Sequence, residues 1–418
     1  MHVRVLIPLV ALAAVAGAST NRDAFGAAPR RMVAEPVAAD RVEPNDNRRP
    51  AGTLRSGVLQ LKLQARVAMW FPDGNAAPGT PMPAFAEEGK PARIPGPLVR
   101  VPSGTDVEVS VSNALPDTLL VYGLHMRNAG KEAPDAPIVL SPGERRNVRF
   151  KLDAAGTYYY WATTTRRSLA FRTLHDAQLT GAIVVDEVGV RANRDRIFVV
   201  GMWTDTVHRA MTHRQRVLAV INGMSWPHTE RLQQSVGDTV RWRVINASAD
   251  LHPMHLHGFY FRVDSRGDGV RDTAYTAATA SLAVTEVMPF GSTRSLSWIP
   301  ERAGNWLFHC HIPEHFGARG PLGVKRDDVA NESAASHADH ATGGMNGMVL
   351  GIEVRPSRVT AASTRASSRP AGNAAGSERV MRLLVRPNRG SSGSAPLYGY
   401  AFHETAAEPA ADSGLGFG

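Results

Sequence analysis

From Val58 onward the chain alternates. In VLQLKLQARVAMWF, Leu59, Leu61, Leu63 and Ala65 share one parity, and Gln60, Lys62, Gln64 and Arg66 share the other. That is the period-two signature of a strand with one buried face. VRVPSGTDVEVSVSN (99–113) repeats the pattern after the turn-forming PGP at 95–97, and RRNVRFKL (145–152) and TGAIVVDEV (180–188) continue it. Short strands between Gly, Pro and Asn turns, with no convincing amphipathic helix, predict an all-β chain of Greek-key β-sandwiches.

Near Ala192 the pattern restarts with RIFVVGMW (196–203). SVGDTVRWRVINAS (235–248) echoes PSGTDVEVSVSNAL (102–115), and ERAGNWLFHCH (301–311) echoes DAAGTYYYWAT (153–163). Two turn-plus-strand signatures recurring in the same order imply an internal duplication. The expected domains are 55–190 and 191–355. Residues 356–377, rich in Ser, Ala, Pro and Arg, read as a linker. The last stretch, 378–418, opens like another strand and reads as a tail or the truncated start of a further unit.

The first 19 residues, MHVRVLIPLVALAAVAGAS, have a basic start, an apolar run and small residues at the end. They read as a secretory signal, followed by a linker over 20–54, and imply a secreted or periplasmic protein. No other run is long and apolar enough to span a bilayer. Of the 418 residues, 43% are hydrophobic and 20% charged, which is ordinary globular composition. The net charge of +9 comes from scattered arginines without basic runs, so a solvated basic surface is expected and not a nucleic-acid partner.

A single cysteine, Cys310, excludes an internal disulfide. It lies in WLFHCHIPEHF (306–316) with a histidine on each side. Alternation puts His309 and His311 on one face of a strand and Cys310 on the other. One strand can then offer a thiolate to one metal and two imidazoles to another, with few covalent bonds between them. His315, just past the strand, can fold back to the cysteine side. In HPMHLHG (252–258), His255 and His257 share a face, while His252, ahead of Pro253 and outside the alternation, can serve a different site. The chain thus offers His252, Cys310 and His315 as one set, and His255, His257, His309 and His311 as another. A His₂Cys set with a weak axial thioether is an electron-transfer copper arrangement, and four imidazoles suit a second copper site. Structural zinc sites repeat Cys at short spacing, which is missing here.

With these residues the chain resembles the multicopper oxidases, the laccase-like family of cupredoxin domains. HPMHLHG and HCHIPEH are nearly the family's two C-terminal copper motifs, and PGPLVRV, SPGERRNVRF, AGTYYY and INGMSWP extend the likeness over both domains. The resemblance implies tandem cupredoxin-like domains and makes His252, Cys310 and His315 ligands of a type 1 copper that takes electrons from a small-molecule reducing substrate. It makes His255 a type 2 copper ligand, and His257, His309 and His311 ligands of a type 3 pair where dioxygen is reduced to water. Cys310, His309 and His311 then carry the electrons between sites. With an inserted loop over 316–344, GMVLGIEV becomes the closing strand and Met348 the axial candidate, with Met345 second. His337 and His340 read as solvated loop histidines.

One departure concerns domain 1. The family's other half of the oxygen site is two further His-x-His pairs. Here VYGLHMR (121–127) keeps only His125, and TYYYWATT (157–164) has Trp161 and Thr163 in the histidine places. Three readings stay open: a partner domain supplies the missing half, domain 2 is an electron-transfer or copper-binding protein without oxidase activity, or a reduced cluster still turns over. A homo-oligomer is suggested by analogy with two-domain relatives, but copies of this chain repeat the same substitutions.

Overall fold

The computed structural model describes residues 40–128, 136–189, 195–205, 216–316 and 345–357, together with the backbone of the strands Arg382–Asn388 and Leu397–His403. Across these residues the chain is almost entirely β, as the alternation predicts. The expected signal at 1–19, the loop with His337 and His340, and most of the linker at 356–377 lie outside the described residues.

Two five-stranded sheets have the same construction. In the first the order is Gly96–Pro102, Thr180–Asp186, Gly156–Thr163, Leu119–Tyr122 and Ile138–Leu140. In the second it is Arg231–Ser235, Val349–Arg355, Gly304–Cys310, His252–Leu256 and Thr285–Met288. Each begins with a parallel pair and continues antiparallel. Each faces a larger sheet, and the space between is filled by the inward parity of both. Leu63, Phe85, Val109 and Tyr160 form the first core, and Trp242, Met254, Phe308 and Cys310 the second. Burying such alternate apolar side chains, at roughly 25 cal/mol per Å², is what fixes strand register here. A slip by one residue would turn His309 inward and Cys310 outward.

Residues 40–54, expected to be linker, form an arm packed on the domains. Glu43–Pro44 pairs with Ala92–Ile94, and the buried Asn47 amide donates to Asn222 Oδ1 at 3.2 Å. Two further apolar clusters join the sandwiches, one around Trp70, Ile94, Trp203 and Val220, the other around Leu98, Tyr159, Ile197 and Ile245. Asp195 adds an ionic clasp, accepting from Arg100 at 2.7 Å and from Arg243 at 2.6 Å. The strands Arg382–Asn388 and Leu397–His403 form a separate antiparallel hairpin.

Candidate metal centre

The strands His252–Leu256 and Gly304–Cys310 pair antiparallel, with Met254 opposite Cys310 and His255 opposite His309. This register sorts the ligands. Met254, Leu256, Phe308 and Cys310 point into the core, while His255 and His309 stand on the other face. His252 opens its strand and is fully buried, so alternation through Pro253 already sends it inward. The proline does not take it out of the pattern, contrary to the sequence reading.

His315 reaches the same spot by a different route. A single turn, Pro313–Phe316, returns the chain over the end of the Gly304–Cys310 strand and buries the ring. His252 Nδ1 lies 3.1 Å from His315 Nδ1, and Cys310 Sγ lies 3.6 and 3.4 Å from these two nitrogens. Metal bonds of about 2.0 Å to nitrogen and 2.3 Å to sulfur, at a tetrahedral angle, set separations of roughly 3.3 and 3.5 Å. The three donors therefore fit one small ion. Among the described residues they are the one group of three such side chains whose ligand atoms all lie within 4.8 Å of one another.

Burial sets the protonation of this group. It pushes His252 down to about 3, with the neighbouring His315 adding to the effect, so the ring is neutral and keeps a lone pair. It pushes the Cys310 thiol up to about 11. Two residues that sequence reasoning missed surround the rings. Ser248 Oγ is 2.6 Å from His252 Nε2, and Asp250 Oδ2 is 3.7 Å from His315 Nε2. The signal was in the sequence as a hydroxyl and a carboxylate just ahead of His252. Asn246 holds their loop through Asp250 O and Met288 O.

Met348 is fully buried in the same core as Cys310. Its N–H donates to His315 O at 2.9 Å, and its carbonyl accepts from Cys310 N at 3.1 Å. Met345 is half-buried. Met254 and Met288 are also fully buried in this cluster, so the core that holds Cys310 contains more methionines than the sequence singled out.

On the opposite face the ring centroids of His255, His257, His309 and His311 lie 5.0–5.8 Å from their neighbours. His257 Nε2 is 2.9 Å from His309 Nε2. His309 is buried, His255 and His257 are half-buried, and His311 is exposed, so the face opens to solvent. Burial pushes His309 down to about 4 and lowers His255. His309 Nδ1 lies 2.6 Å from Cys310 O, and His255 Nδ1 lies 2.8 Å from Thr285 Oγ1.

In domain 1, His125 is bonded to Arg127, which also donates to Gly269 O. Trp161 stacks on Tyr122, and Thr163 donates to Asp176 at 2.7 Å. None of these groups approaches the arrangement of domain 2.

Two family models, each described as multicopper oxidase, match residues 91–188 and 201–320, together more than half of the chain. A probable nitrite reductase-hydroxylamine oxidoreductase fusion protein of Kuenenia stuttgartiensis is 27% identical over 289 residues, covering 65% of this chain and 32% of that protein. Ceruloplasmin of Rattus norvegicus is 33% identical over 100 residues, 23% of this chain and 8% of its own length. Laccase-7 of Arabidopsis thaliana is 36% identical over 73 residues, 16% of this chain and 13% of its own. The chain thus spans less than a third of the length of these relatives. The blue copper oxidase from Nitrosomonas europaea shares the fold, with a TM-score of 0.52 at 20% identity over 71% of this chain and 85% of that one.

Proposed function

The chain belongs to the multicopper oxidase family, and we propose that its second domain is a type 1 copper centre that takes single electrons from small reducing substrates. One observation carries this reading: His252, 58 residues away in sequence from Cys310, joins Cys310 and His315 to bring two imidazole nitrogens and a thiol together in a buried cluster. Thiolate and imidazole are the donor set that favours copper in electron-transfer sites. Bound there, copper supplies a one-electron acceptor.

The chain's own groups do the rest. Ser248 engages His252 Nε2 and leaves Nδ1 for the metal. Met348, tied by its backbone to both Cys310 and His315, would be the candidate for a weak further ligand. His315 faces the half-exposed Asp250 carboxylate, so a reducing substrate would approach along that edge. The backbone joins Cys310 directly to His309 and His311, giving a short covalent route to the imidazole face where the family's use of dioxygen is centred. The signal-like residues 1–19 support export, to the periplasm or outside the cell. No helix among the described residues is long and apolar enough to cross a membrane.

Loading with Cu(II) is expected to give an intense visible thiolate band. Cys310→Ser should remove it, and His255→Ala should keep it. A Cys310→Ser protein that stays blue would overturn the assignment.

A further inference from the structure

The internal duplication gives six of the seven candidate ligands of domain 2, all but His315, a counterpart in domain 1, and two independent observations fix the correspondence. Gly156 and Gly304 open equivalent strands with the same unusual backbone, φ of 154° and 144°, which aligns Trp161, Ala162 and Thr163 with His309, Cys310 and His311. Strand register gives the same answer. Trp161 faces Tyr122 and Ala162 faces Val121, as His309 faces His255 and Cys310 faces Met254. By extension Leu119 stands for His252 and Leu124 for His257.

Every one of these domain 1 positions is already committed to something other than a metal. Leu119 and Ala162 are fully buried in hydrocarbon. Tyr122 and Trp161 form a ring stack at 4.4 Å and 10°, with the Arg172 guanidinium 5.4 Å from the Trp161 centroid. Thr163, Thr165 and the Thr164 N–H all donate to one carboxylate oxygen of Asp176, at 2.7, 3.0 and 3.0 Å. Leu124 is buried. A trinuclear cluster shared between two imidazole sets therefore does not fit this chain.

The domain 2 face fits something smaller. Two ligands at about 2.0–2.1 Å from an ion and at a right angle to each other lie about 2.9 Å apart, and a right angle is the tetragonal preference of Cu(II). His257 Nε2 and His309 Nε2 are 2.9 Å apart. With Nδ1 donating to Cys310 O, the His309 lone pair sits on Nε2, toward His257.

We propose that the imidazole face holds one copper ion per chain, gripped by His257 and His309 and flanked by His255 and His311. Given the copper reading above, the chain by itself carries two coppers. Reduction of dioxygen to two waters takes four electrons and four protons, and two coppers store two electrons. The chain alone thus stores too few electrons to take dioxygen to water in one step, and the other two would have to come from further substrate oxidation.

The test is copper counting on the full chain after Cu(II) loading and desalting, with visible and EPR spectra. Two coppers are expected: one narrow-hyperfine blue signal and one wide-hyperfine imidazole signal. His257→Ala should lower the count from two to one with the blue band intact, and Trp161→Ala should leave it at two. Three or four coppers, or an EPR-silent coupled pair, would overturn the proposal. So would one copper with a full blue band, or a count that falls in Trp161→Ala. Loss of the blue band with the imidazole signal kept would instead strike the type 1 reading and leave this one standing.

Discussion

Ser248 and His252 are joined by a 2.6 Å hydrogen bond between the hydroxyl and ring Nε2, inside a pocket where both residues are buried. The bond decides which nitrogen faces Cys310. Hydrogen bonds behind a metal-bound histidine typically contribute 10- to 100-fold in affinity. Ser248→Ala is therefore expected to weaken copper binding at the Cys310 site by roughly 10-fold or more, while far-UV circular dichroism stays unchanged. Wild-type affinity in a chelator competition would mean that the hydroxyl has no positioning role.

Copper uptake should depend on pH through the thiol. Burial pushes Cys310 up to about 11 and His252 down to about 3. At pH 6 to 8 the His252 imidazole is already neutral and the Cys310 thiol still carries its proton, so this pair releases one proton on binding. Apparent affinity should then rise about 10-fold per pH unit over that window. A flat profile, after correction for the chelator, would argue against thiolate ligation.

Glu286 ties the edge of the sheet that carries His252 and Cys310 to the sheet opposite. It accepts from Arg266 Nε at 2.7 Å and Arg294 Nε at 2.7 Å, and Arg294 is itself buried. Burial works to raise the carboxyl, but the hydrogen bonds from Arg266 and Arg294 outweigh it and hold the group below the ordinary 4.5. A carboxylate depressed in the folded state stabilises it above the unfolded-state value and loses that contribution as pH falls through the folded one. Glu286→Gln should cost roughly 1–3 kcal/mol near neutral pH, and its urea midpoint should fall less than wild type's on acidification below pH 4.5. Equal midpoints at neutral pH would show that the bridge contributes nothing.

His255→Ala removes a ring from the imidazole face without touching the buried pocket. The blue band should persist, while the wide-hyperfine signal changes shape. Bleaching would mean that the two ligand sets have been divided wrongly.

Much of this was legible in the sequence because alternation is a property of the backbone. With the strands running to Leu256 and Cys310, and His257 and His311 one residue past their ends, the separation of Cys310 from His309 and His311, and the pairing of His255 with His257, follow the period of two. The duplication was legible for the same reason, since equivalent turns and strands need equivalent residues. Alternation also held where the sequence reading broke it, at His252. The rest depended on pairing between distant segments, which hydrophobic burial settles only when the sheets close. That closure brings Ser248 and Asp250 to the rings and buries Met254, Met288 and Met348 in the same core as Cys310, whereas the return of His315 to the cysteine side was already legible as a short turn past the strand. It also sets Tyr122 against Trp161 at the position where His255 meets His309. A sequence marks Trp161 as a missing histidine, but only strand register shows what took the place of its partner.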